Sequence, residues 1–203
     1  MTTGPQRPDI ARDLLDRAST AREYRNKLAR AELSEAEAAM GRHIDHANTQ
    51  ILRRVIADHG WPGRSLVGEE AAEGAWQIVL HADHVPDFQR LVLRTMTAAV
   101  ECGEATTQQW AHLRDRANIN SGHRQIYGTQ YHCGPAGIEP LPIHEPEHLD
   151  ARRTSVGLPP FEAALADVRR RHGAREPGCD QDQDMDKVQD HGDDATLELV
   201  GAA

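Results

Sequence analysis

The chain has three cysteines, Cys102, Cys133 and Cys179, and no C-x-x-C pair. An odd number of widely spaced thiols describes neither a disulfide frame nor a structural zinc site. The expectation is three reduced cysteines in a cytoplasmic protein. No apolar run approaches the roughly 20 residues that a membrane span needs, so no membrane partner is expected. The N-terminus, MTTGPQRPDIARD, lacks the apolar core of a signal peptide. Basic charge is also scarce: 23 Lys and Arg against 32 Asp and Glu give a formal net charge of −9. The imbalance is local, because nine acidic residues against Arg175 and Lys187 place −7 of it between Gly173 and Ala203. A near-neutral body with an acidic tail lacks the electrostatic footprint of a general nucleic-acid binder. Absent too are a Gly-rich phosphate loop, a dinucleotide fingerprint and a G-x-S-x-G elbow. Nucleotide-driven and serine-hydrolase chemistry are therefore disfavoured, and no cofactor is implied.

What is present is helical periodicity. Ile10, Leu14, Ala21, Tyr24, Leu28 and Ala31 follow steps of four and three, interrupted at Arg17, the spacing of one helix face. Ser34 and Glu37 have capping-box spacing. Met40, Ile44, Ala47, Ile51 and Val55 then form the stripe of a second helix that Gly60 stops. Residues 1–60 are thus expected to form an antiparallel helical hairpin. Trp61-Pro62-Gly63 makes a turn. A third helix is expected from Glu69 to His84, a fourth from Pro86 towards Gly103, and a fifth from Thr107 to Asn118. After residue 122 the pattern alternates. Arg124 to Tyr131 reads as a short strand paired with Ile138 to Ile143 across the turn Cys133–Gly137. Pro140 and Pro142 confine the second segment to an edge. A last helix runs from Phe161 towards Arg171. The fold class is mainly α, a single helical domain over 1–172 made of the hairpin 1–60 and a motif-bearing body 61–172. A small hairpin-like β element follows residue 122, and an acidic tail over 173–203 is expected to be disordered.

The candidate chemistry begins at His81-Ala82-Asp83-His84. At about 100° per residue, Asp83 shares the apolar stripe of Trp76 and Val79, where a carboxylate needs a partner. Either Asp83 caps the helix that Pro86 begins, or His81 and Asp83 form a shielded pair for proton transfer. The spacing of His81 and His84, with Asp83 between, also permits a metal site. On the fifth helix His112, Asp115 and Arg116 lie opposite Trp110, Leu113 and Ala117, as a solvated ion-paired face or as part of a site. Gln125, Tyr127 and Thr129 alternate with Gly128 and Gln130, which makes either a grip for a polar ligand or an exposed edge strand. Arg152 and Arg153 offer guanidiniums to a carboxylate or phosphate, or tie the C-terminal segment to an acidic neighbour such as Asp115.

Taken in order, Trp61-Pro62-Gly63, Ser65-Leu66-Val67-Gly68, His81-Ala82-Asp83, Phe88-Gln89, Asp115-Arg116, Gln125 with Tyr127-Gly128-Thr129-Gln130, Arg153 and Gly157-Leu158-Pro159 resemble an uncharacterised bacterial family, the domain of unknown function numbered 6624. The resemblance runs from Trp61 to Pro160. It implies a mostly helical scaffold and one convergent polar pocket, and it names no reaction. Relatives often carry Gln before the His-Ala-Asp triplet, where this chain has Leu80. The resulting expectation is a non-redox enzyme acting on a small molecule or peptide by acid–base catalysis, of hydrolysis, cyclisation or isomerisation type, in specialised metabolism. His81, Asp83 and Asp115 would be catalytic, and Arg116, Gln125, Tyr127, Gln130 and Arg153 would bind substrate. The alternatives are a non-catalytic binding or immunity-type module, and a metal-dependent enzyme using His81, Asp83 and His84.

Overall fold

A computed structural model of the chain describes residues 4–28, 30, 32–134 and 137–173. Among them are eight helices and one two-stranded hairpin, so the fold is mainly α with a small β element. Helices α1 (Pro8–Leu28) and α2 (Glu35–His59) run antiparallel. Arg7 reaches His59, Arg17 reaches Asn48 at 3.4 Å, and Arg25 reaches Asp45 at 3.3 Å. The capping box at the start of α2 forms as its spacing predicts, with Ser34 N–H donating to Glu37 Oε2 at 2.8 Å. The expected stripe on α2 is turned. Asn48, Thr49 and Leu52 are buried, whereas Met40 is 51% exposed. Both polar residues go inward, Asn48 Oδ1 accepting from Arg17 and the Thr49 hydroxyl donating to the Asp45 carbonyl, while Asn48 Nδ2 is buried without a partner among the described residues.

Helix α1 buries Ala11, Leu14, Ala18 and Ala21, a strip small enough for close packing. A one-turn α3 (Arg64–Val67) precedes α4 (Glu69–Leu80), which lies against that strip. A Cβ on Gly74 would sit 3.1 Å from Ala18 Cβ and 3.4 Å from the Leu14 carbonyl oxygen. The missing side chain is what allows the two backbones to approach. Helices α5 (Pro86–Glu101) and α6 (Thr107–Ile119) complete the body. Leu14, Leu52, Val67, Val79, Phe88, Met96 and Leu113 belong to one buried apolar cluster drawn from α1 to α6. Burial of that surface is the main favourable contribution to the fold.

Three sequence expectations need correction. First, α4 ends at Leu80 with His81 at its C-cap, so His81, Asp83 and His84 lie in the turn after the helix. Asp83 does not cap α5, whose N-cap is Val85 with no side-chain bond, although Pro86 does open its first turn. Second, residues 124–130 are not a strand. The hairpin pairs β1 (Tyr131–Gly134) with β2 (Gly137–Pro140), His132 opposite Glu139, and Gln125 contributes one isolated bridge to Ile143. Third, Cys133 is disulfide-bonded while Cys102 is free and exposed. Spacing along a chain does not report a pairing made through the fold. A 3₁₀ turn (Pro146–His148) then leads into α7 (Leu149–Ser155), a helix without a sequence signal, and α8 (Phe161–Gly173). The tail expected to be disordered lies outside the described residues. Among the described residues no helix is long and apolar enough to cross a membrane.

Candidate functional site

The turn after α4 is shaped by side chains. Gln89 on α5 is fully buried, and its Nε2 donates to the carbonyls of Val79 and Leu80, each at 3.2 Å. The Leu80 carbonyl is an orphan of the helix end that Gln89 satisfies from a neighbouring helix, whereas the Val79 carbonyl also accepts from the Ala82 N–H at 3.1 Å. Asp83 then meets α6. Arg116 grips its carboxylate with both Nε, 2.8 Å from Oδ1, and Nη2, and Asn120 Nδ2 donates to Oδ1 at 2.6 Å. A bidentate guanidinium fixes a carboxylate in plane as well as in position. Burial works against the Asp83 charge, but the bonds from Arg116 and Asn120 outweigh it and hold the carboxyl below its ordinary value.

His81 differs from its neighbours. It is partly exposed, and among the described residues neither ring nitrogen has a hydrogen-bond partner. Burial, followed by the charges of Arg25 and Arg116, holds its imidazole far below the ordinary histidine value despite the nearby Asp83. The ring is therefore a neutral base at pH 7. His84 points elsewhere, its ring 5.1 Å from that of His46.

Asp115, one residue before Arg116, is fully buried. The carboxylate accepts from the backbone amides of Ile126 (2.7 Å), Tyr127 (3.0 Å) and Thr129 (3.0 Å) and from the Thr129 hydroxyl (3.0 Å). Burial pushes the carboxyl up, and those donors pull against it. The solvated face read from the helical wheel does not exist, because of the residues of α6 only Thr107 and Arg114 are exposed. Opposite Asp115, the two arginines of α7 take the carbonyls of the same loop. Arg152 Nε donates to Ile126 O at 2.9 Å. Arg153, 2% exposed, donates to Tyr127 O, to Gly128 O at 3.2 Å and to Pro159 O at 2.7 Å. The loop Ile126–Thr129 is thus clamped by an anion on its amide side and by cations on its carbonyl side.

Gln125 closes the loop. Its Nε2 donates to Gln130 O (3.0 Å) and Leu141 O (2.7 Å), and its Oε1 accepts from Gln130 N–H at 2.8 Å. Gly128 sits at φ +63, and a Cβ there would lie 3.0 Å from the Phe161 ring. Tyr127 is buried with its ring edge-on to Trp110. Gln130 joins the halves, its Oε1 accepting from Arg116 at 3.3 Å and its Nε2 donating to Thr129 Oγ1 at 3.1 Å. One hydrogen-bond chain therefore runs from Asp83 through Arg116, Gln130 and Thr129 to Asp115.

Of the residues expected to act on substrate, Asp115, Gln125, Tyr127 and Arg153 are built into this buried scaffold, with the polar groups of Asp115, Gln125 and Arg153 satisfied by backbone. Arg116 and Gln130 link the scaffold to the turn, and His81 is left free. Two concavities, of about 410 and 360 Å³, lie elsewhere and neither includes His81. The sequence reading also passes over His144-Glu145-Pro146-Glu147-His148, an H-E-x-x-H string. Zinc use of that string needs an α-helix that puts both imidazoles on one face. Here Glu145 is left-handed at φ 41 and Pro146 opens a 3₁₀ turn. Among the described residues no three His, Cys, Asp or Glu side chains are arranged to hold an ion, the trio His81, Asp83 and His84 included.

The protein is thus a mainly helical body that carries a carboxylate-and-guanidinium-clamped loop and a histidine turn. The chain belongs to the family of unknown function DUF6624, whose sequence model matches residues 8–175. The match takes in α1 and α2, which the resemblance read from Trp61 onwards leaves out. No curated protein and no solved structure matches the chain.

Proposed function

We propose that the protein is an enzyme of non-redox acid–base chemistry acting on a small molecule or peptide, with His81 as its base. One observation carries the reading: a partly exposed imidazole is kept neutral beside Arg25 and Arg116 and makes no hydrogen bond to any described residue. A neutral ring with its lone pair uncommitted can accept a proton. Alone, the ring is a weak base, because burial first and then both guanidiniums oppose its protonation. A substrate carboxylate or phosphate beside Arg116 offsets that charge and raises the basicity of His81 when the substrate is in place. Asp83 acts as a positioning residue, fixing the guanidinium against which the substrate docks.

The test is untargeted mass spectrometry of a metabolite extract incubated with the wild type and with His81→Asn. The reading expects a compound consumed by the wild type and untouched by the variant. Identical extracts would reject it. A non-catalytic binding module is the second reading, favoured by a concavity of about 410 Å³ lined by residues other than His81. It expects unchanged extracts together with one compound or protein retained stoichiometrically on the immobilised chain.

A further inference from the structure

One concavity, about 410 Å³, opens between α4 and α6 at the end opposite His81. Its size falls within the range of small-molecule sites, roughly 300–1,000 Å³. Ala72, Trp76 and Ala105 give it an apolar wall, and Glu73 and His112 face it from α4 and α6.

Glu73 has an unusual environment for this protein. Two neutral amides hold its carboxylate, Gln77 Nε2 at 3.2 Å from Oε1 and Gln109 Nε2 at 2.7 Å from Oε2. Asp45 and Asp83, also partly buried, instead face the guanidiniums of Arg25 and Arg116. The rim carries Glu69 and Glu104 against the single cation Arg64, which acts on Glu104. No cation is therefore built in for Glu73. The constellation is also rigid. Gln109 completes the capping box of α6 with Thr106, and its carbonyl accepts the Trp76 indole N–H at 2.9 Å. His112 packs edge-on to Trp76, with no hydrogen-bond partner among the described residues. The wall thus presents oriented acceptors, excess negative charge and an aromatic ring.

We propose that this concavity binds the cationic head group of a small organic amine or guanidine. Glu73 and His112 accept its N–H groups, and Trp76 packs on its carbon stem. Charge-assisted hydrogen bonds to a fixed carboxylate in a partly desolvated site are the strong kind, and an indole adds cation–π attraction. The site stands apart from the reading of His81 and holds if that reading fails.

The test is an NMR titration of the full chain, following the Trp76 indole N–H with n-butylammonium and agmatine as probes and n-butanol and butyrate as controls. The expected result is a saturable shift with the two cations and none with the alcohol or the acid. Glu73→Gln, checked for folding by circular dichroism, should weaken binding about tenfold or more, the equivalent of one hydrogen bond to a charged group. Ala105→Leu should block binding by filling the space while leaving every charge in place, and it decides the matter if the first variant misfolds. Equal binding of butanol and butylammonium, no saturable shift, or wild-type affinity in both variants would overturn the proposal.

Discussion

Asp115 shows how much one side chain can organise. An isosteric amide at this position keeps the volume but turns an acceptor into a donor, which would face the amides of the 126–129 loop. A buried donor left unsatisfied costs roughly 1–3 kcal/mol, and more than one is affected. Asp115→Asn should therefore lose about 3 kcal/mol or more in chemical denaturation, a larger loss than for exposed Asp87→Asn. On the carbonyl side, Arg153→Lys keeps the charge but gives up the fork that reaches Tyr127, Gly128 and Pro159. It should cost about 2 kcal/mol, and limited proteolysis should then cut near residue 128. Both residues stand among the candidate site residues of the sequence, Asp115 on a polar helix face and Arg153 beside Arg152. What a sequence cannot say is whether such a group serves a ligand or the backbone, since the same donors and acceptors suit either.

Among the elements, helix boundaries set by local chemistry were legible and those set by tertiary contacts were not. The Ser34–Glu37 box and Pro86 mark helix starts by bonds within a few residues, and both stand where the sequence puts them. The end of α4 is different, because the Leu80 carbonyl is satisfied from α5 by Gln89. Likewise Arg124 to Gln130 has strand-like alternation, yet Asp115 takes the amides that a strand partner would need. The box at the start of α6 does double duty, since Gln109 serves Thr106, Glu73 and Trp76 at once. Thr106→Ala should cost about 1 kcal/mol, an ordinary capping loss. Gln109→Ala should cost about twice that, with a shift of the Trp76 indole resonance as its signature.

At the scale of the whole molecule, pH links the site to stability. His81, His84 and His112 all have imidazoles held below the ordinary value, burial being the largest cause in each. Each binds a proton more readily in the unfolded chain, so stability is fully present above about pH 6.5 and is lost as pH falls below it. Asp83, lowered by Arg116, adds a further loss below the ordinary carboxylate range, while raised Asp115 acts in the opposite sense. The denaturation midpoint should therefore fall between pH 7 and pH 5 (about) in the wild type, and the fall should be shallower in His81→Asn. An equal pH dependence in the two proteins would show that His81 is an ordinary surface imidazole.

The state of that ring is also the most direct test of the site. Titrating the ¹⁵N-labelled protein, with His81→Asn used to assign the ring, should find the His81 nitrogens neutral at and below about pH 5, well under the ordinary imidazole value of about 6.5. A His81 ring that charges near the ordinary imidazole value would contradict the account. The turn after α4 would then be only a helix end tied to its neighbours.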